Sequence, residues 1–186
     1  MPGVITLASR IRRMHDWMRS DLSYRFIGIG KTSAWPDENN PPYPDERATD
    51  VVELVGLQRI DSYKYAKPIE NPTTLQKKTA VYYKGVYYQT TQDFDVAKQG
   101  EYTSVLCEAT LDRDTIPAIP VGITFRQVGL YVGVNATEDE IRYGITREQW
   151  LNKSEADRGT LEAIDNRPPL GRSEDQQEKI FILIDF

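Results

Sequence analysis

The sequence holds one cysteine and one histidine, Cys107 and His15, in 186 residues. A lone thiol excludes an intrachain disulfide and points to a reducing compartment; a chain of this length can be held by burial without crosslinks. A lone imidazole excludes two-histidine metal sites and leaves a Ser-His-Asp arrangement one possible base. A basic excess is also missing. With 28 acidic side chains against 23 basic ones, the formal charge is −5, which speaks against nucleic acid as a partner. No apolar run approaches the roughly twenty residues of a membrane span. The stretch Met1-Pro-Gly-Val-Ile-Thr-Leu7 lacks the charged and apolar regions of a signal peptide. These absences predict a soluble protein made in the cytoplasm, with neither a membrane nor nucleic acid as partner.

Motifs with catalytic or ligand-binding chemistry are incomplete. Gly28-Ile-Gly-Lys31-Thr32 has the end of a phosphate-binding loop, but the glycine required five positions before Gly30 is Arg25. The acidic pairs Asp93/Asp95 and Asp112/Asp114 are not followed by the Gly and Glu of a calcium loop. Cys107, with Val105 and Ala109 on the same strand face, reads as a buried inert thiol. His15 reads as a partly buried helical residue. No catalytic residue, cofactor or metal ligand is assigned, and no enzyme is expected.

What is present is mostly strand and turn: eleven tyrosines, eleven prolines and few long helical patterns. Leu7, Ile11, Met14, Met18 and Leu22 share one helical face, predicting an N-terminal helix over about 5–22, with Thr6 as its cap. Tyr24 to Gly30 reads as a strand whose two glycines mark a bulge or a close backbone approach. Val51 to Ile60 fits helix and strand equally. Val81–Lys84 and Val86–Thr90 predict a hairpin turning at Lys84-Gly85. Strands are also predicted over Tyr102–Thr110 and Ile123–Val132. Thr137 to Tyr143 reads as charged surface. Thr146 and Gln149 fit a capping box for a short helix, which Ser154 to Ala163 would continue after a break. The sequence thus predicts a single mainly β domain over 1–186, with the N-terminal helix and one or two short peripheral helices.

Two segments stand out. The final stretch, Ile180 to Phe186, is almost wholly apolar and predicts a closing strand, paired and interior, because an unpaired edge of this composition would aggregate. Prolines stiffen Trp35–Pro44 and Asp165–Leu170, which lowers the entropy cost of ordering them on a partner. The expected protein-interface residues are Trp35, Pro41, Pro42, Tyr43, Pro44, Asn166, Arg167, Pro168 and Pro169. Trp35, Tyr43 and Arg167 are their anchors, since Trp, Tyr and Arg dominate interface energetics. The competing reading has both loops covering their own core, with Trp35 and Tyr43 inward and Arg167 paired to a local carboxylate.

Four strings, in chain order, carry a resemblance: Gly-Lys-Thr-Ser-Ala-Trp35 after a strand, Pro41-Pro-Tyr-Pro44, Gly122-Ile-Thr-Phe-Arg-Gln-Val128, and Asp165-Asn-Arg-Pro-Pro-Leu170 followed by an acidic run and the terminal strand. Together they resemble the baseplate wedge proteins of the gene product 8 type in T-even-like contractile-tailed bacteriophages. The present chain lacks a large insertion that the family carries between the hairpin and the Phe-Arg-Gln strand. The resemblance implies a β-sandwich core and no enzymatic activity. It implies a structural virion protein of the tail baseplate, a homodimer that links other baseplate wedge proteins. The acidic, β-rich composition allows a neck or tail-completion protein equally well, and the Tyr and Trp content could serve a carbohydrate-binding β-sandwich for host attachment.

Overall fold

The computed structural model describes residues 4–20, 24–111, 118–172 and 177–186. Among these the chain forms α1 (Leu7–Arg19), β1 (Phe26–Gly30), β2 (Gly56–Arg59), β3 (Ser62–Pro68), α2 (Thr74–Thr79), β4 (Val81–Tyr83) and β5 (Val86–Thr91). Then follow α3 (Phe94–Gln99), β6 (Ser104–Leu111), β7 (Thr124–Val132), α4 (Glu138–Tyr143), β8 (Ile145–Thr146), α5 (Arg147–Asn152), α6 (Glu155–Arg158), β9 (Thr160–Gly171) and β10 (Glu178–Asp185). The strands make two five-stranded sheets, ordered β8-β2-β1-β7-β9 and β10-β6-β3-β5-β4. The fold is mainly β, as the sequence predicts. Its residues cluster in two compact units: 1–20, 62–107 and 183–186 in one, 21–61 and 108–182 in the other.

The second unit holds the β1-centred sheet. All five residues of β1 are buried, and β1 pairs antiparallel with β2 and β7. Gly28 lies opposite Gly129 across that pairing. A Cβ on Gly28 would stand 2.7 Å from Cε2 of Tyr131, and one on Gly129 2.6 Å from Cγ2 of Val51. The glycines thus admit the Tyr131 ring, the close approach the sequence allowed. Tyr131 packs edge-on against Trp150, with centroids 4.9 Å apart, in a core with Phe26, Val51, Leu54, Leu57 and Ile145. Each such side chain contributes about 1.5–3 kcal/mol by leaving water. The ambiguous stretch at 51–60 becomes β2 only from Gly56 onward.

The sequence predicts one or two short helices; the described residues contain five. Three begin with capping boxes: Thr73 with Gln76, Thr137 with Glu140, and Thr146 with Gln149. The segment read as charged surface at 137–143 is α4, its capping acid folded back onto its own N-terminus. The helix predicted to continue to Ala163 stops at Gly159. There φ is +66°, and a Cβ would stand 2.1 Å from the Val132 carbonyl, so only glycine admits the turn into β9.

In the first unit, α1 buries Ile11, Met14 and Met18. Leu7 is 41% exposed, and Leu22 lies outside the described residues. Predicted over 5–22, the helix runs Leu7–Arg19, bounded by Thr6, whose hydroxyl accepts from the Ser9 N–H, and by Ser20. The hairpin turns at Lys84 and Gly85, both left-handed (φ 47° and 83°), as a type I′ turn requires. Cys107 is fully buried in β6.

The terminal strand departs from expectation. β10 is paired with β6, yet it ends its sheet instead of lying inside it. Ile180 and Ile182 are buried, while Phe181, Leu183 and Ile184 are half-buried. Arginines take one carbonyl within it and one just beyond its end: Arg167 Nη2 donates to Phe181 O at 3.0 Å, and Arg10 Nε donates to Phe186 O. An edge with an acceptor taken and cations on its flank is a poorer template for another chain. The hazard that predicted an interior strand is met by charge, not by burial.

Candidate protein-interaction surface

The proline loop is anchored at both ends of its span. At its start Lys31 takes a left-handed turn (φ 54°), and the Glu53 carboxylate gathers the strand's exit. It accepts from the Ser33 N–H at 2.8 Å, the Thr32 hydroxyl at 2.9 Å and the Ser33 hydroxyl. These bonds, those to Ser33 foremost, hold Glu53 down to about 2. Lys31 lies 3.6 Å from the same carboxylate and 5.1 Å over the Trp35 ring. The lysine of the apparent phosphate loop is therefore part of this clamp. Further along, Arg126 binds Glu38 through Nε and Nη2 at 2.8 Å and donates to Thr32 O at 2.7 Å. The hydrogen bond to Arg126, ahead of every other cause, keeps Glu38 below its ordinary value.

The two segments singled out in the sequence meet. Trp35 Nε1 donates to Arg167 O at 3.1 Å, and Asn166 Nδ2 donates to Pro42 O at 2.9 Å. Asn166 is itself fixed through Gln127, whose Nε2 donates to Asn166 Oδ1 at 2.7 Å while its Oε1 accepts from Val52 N at 2.6 Å. Pro168 and Pro169 stand where β9, the last strand of its sheet, bulges. Gln127 faces Asn166 and Phe125 faces Leu170, so Arg167, Pro168 and Pro169 together oppose one residue, Arg126. Prolines lack an N–H for the ladder, and a bulge on an edge strand is where they fit.

The expected interface residues separate by exposure. Tyr43 is 99% exposed, and Pro42, Pro168 and Pro169 are exposed with it. Trp35, Pro41 and Pro44 are half-buried, and Asn166 is buried. Arg167 turns inward: Nη2 binds Asp165 at 2.7 Å, with only 13% and 6% of the two side chains exposed. One anchor thus points to solvent while the other two brace the loop beneath it. Arg126, Gln127 and Glu53 complete the brace, though none is among the interface residues expected from the sequence. For Gln127 a signal existed, since an amide sharing a strand face with Phe125 and Tyr131 must find partners when buried.

Other polar groups among the described residues are hydrogen-bonded or stacked within their own unit. In the second unit a concavity of about 410 Å³ is lined by Asp50, Tyr131, Trp150, Glu155 and Arg158. Asp50 accepts there from the Tyr131 hydroxyl, Trp150 Nε1 and its neighbour Val51 N. Burial, and then Asp50, push the Tyr131 hydroxyl far up. His15 stacks on Phe94 with centroids 3.5 Å apart and meets the Tyr65 hydroxyl at 2.9 Å. Asp93 caps α3; Asp112 and Asp114 lie outside the described residues. Among the described residues no group of three or more His, Cys, Asp or Glu is placed to hold a metal ion, and no helix is long and apolar enough to cross a membrane.

The described residues form a β-rich scaffold that presents one braced, aromatic-tipped loop. Over residues 4–186 the sequence matches the family described as "Baseplate wedge 3 tail fiber network component". The chain belongs to this family, and is thereby a structural component of a phage baseplate. It is also similar to "Virion protein 3" of Enterococcus phage phiEF24C, with 26% identity over 162 residues, 86% of this chain and 83% of that protein.

Proposed function

We propose that this protein is a non-enzymatic joint of the baseplate wedge, assembled into the virion from the host cytoplasm, and that it links neighbouring wedge proteins, a second copy of itself included, through its proline loops. In this reading it is a homodimer and the counterpart, in its own baseplate, of the T-even wedge proteins whose motifs it resembles. The observation that supports it is the contrast at the loop tip. Tyr43 is 99% exposed although the backbone beside it is tied to β9 through Pro42 O. A large side chain on a preorganised backbone loses little freedom on docking, so most of its contact energy is kept.

The test is Tyr43→Ala in the phage, scored for folding and for assembly. An unchanged melting curve with loss of the protein from isolated baseplates is the expected result. Normal incorporation and infectivity would overturn the reading.

A further inference from the structure

Charge is divided unevenly along this chain. The unit formed by 1–20, 62–107 and 183–186 carries ten basic and six acidic side chains, a net +4; the other carries thirteen and twenty-two, a net −9. The imbalance concentrates at two places. From Thr32 to Glu46 there are four carboxylates and no basic residue, and from Asn71 to Gln92 three lysines and no carboxylate.

Each stretch presents its charge beside exposed apolar surface. On the acidic loop Asp37, Asp45 and Glu46 are exposed around Tyr43. On the basic stretch, α2 buries nothing, and Lys77, Lys78 and Lys84 are exposed. Leu75 is 75% and Tyr82 59% exposed. Lys77 lies 5.6 Å over the Tyr87 ring, and Tyr87 packs on Tyr82 across the hairpin at 4.8 Å. β4 ends its sheet here, so this face adjoins a strand edge.

We propose that the acidic Tyr43 loop of one copy docks on the lysine–tyrosine face of a second copy, and that two such contacts close the homodimer. The inference rests on reading the Tyr43 loop as an interface, and it names the loop's partner. Charge complementarity selects this pairing: loop against loop sets carboxylates against carboxylates, and face against face sets lysines against lysines, both repulsive. Only loop on face attracts. In a two-fold dimer each chain gives one loop and one face, so the attraction is used twice.

Sedimentation velocity of the intact protein tests this with two sets of charge reversals at exposed sites, their folding checked by circular dichroism. One set is Lys77→Glu, Lys78→Glu and Lys84→Glu; the other is Asp37→Lys, Asp45→Lys and Glu46→Lys. The wild type is expected to dimerise, about tenfold or more weakly once salt screens the contact. Each set alone should give monomers, and an equimolar mixture should restore a heterodimer. In the mixture one contact joins reversed to reversed charges and the other wild type to wild type. Should a reversed set fold poorly, the neutral versions (Lys→Gln, Asp→Asn, Glu→Gln) must still weaken the dimer. A wild type monomeric at low salt, a dimer that survives both reversals, or a mixture without rescue would overturn the proposal. The two readings fail separately. A monomer whose Tyr43→Ala form is still lost from baseplates removes this proposal alone, and a rescued dimer whose Tyr43→Ala form assembles normally removes wedge docking alone.

Discussion

The Asn166 side chain joins the two proline segments: its amide nitrogen donates to Pro42 O while its oxygen accepts from Gln127. Rigidity of the Tyr43 loop therefore depends on a side chain buried in another strand. Asn166→Ala should cost about 1–3 kcal/mol, because the Gln127 amide is left without its acceptor in a buried site. Limited proteolysis should cut faster within 36–46. A cleavage rate like the wild type's would show that the loop is held without the Asn166 bond.

Arg167 behaves differently from Tyr43 despite the similar expectation for both. Arg167→Ala breaks the buried pair with Asp165 and frees the Phe181 carbonyl at the sheet end. Breaking a buried pair by removing one partner costs about 3–5 kcal/mol. Urea denaturation should show the midpoint falling well below that of Tyr43→Ala, which should stay within about 0.5 kcal/mol of wild type. Equal midpoints for the two variants would refute this division.

Glu53 makes a signed prediction for pH. Its carboxyl titrates near 2, below its ordinary value of 4.5, so the folded state favours the ionised form. The stabilisation is fully present above about 4.5 and is lost as the pH falls through about 2. Wild type and Glu53→Gln should differ by a constant denaturation midpoint from pH 7 down to 4.5 and converge between 4.5 and 2. A difference that widens on acidification would have the wrong sign.

Phe186 closes β10 with a backbone bond to Thr103 O at 2.9 Å, and its ring meets Trp17 edge-on at 6.0 Å. Removing Ile184 to Phe186 takes away two half-buried apolar side chains, that ladder bond and the acceptor of Arg10. Burial of this kind is worth roughly 1.5–3 kcal/mol per residue when complete. Against a total of about 5–15 kcal/mol, the truncated protein should melt well below the full chain. Identical melting temperatures would show the strand's end to be dispensable.

Local chemistry was decided by the sequence alone. The α1 stripe, the Lys84-Gly85 turn and the Thr146/Gln149 box each depend on residues within a few positions of one another, so spacing suffices to read them. The same kind of signal was present at Thr73/Gln76 and Thr137/Glu140, where surrounding charge and polarity masked it. That the proline segments matter was also legible, because proline restricts the backbone wherever it stands. Three things were left to the tertiary structure. Whether β10 lies inside or at the end of a sheet depends on strand order, which apolar composition does not encode. Which way Arg167 turns depends on Asp165 and Phe181 O having been brought within reach. And the link from Asn166 to Pro42 spans 124 positions, a separation at which neither periodicity nor turn chemistry carries information; only the closure of β9 against β7 makes them neighbours.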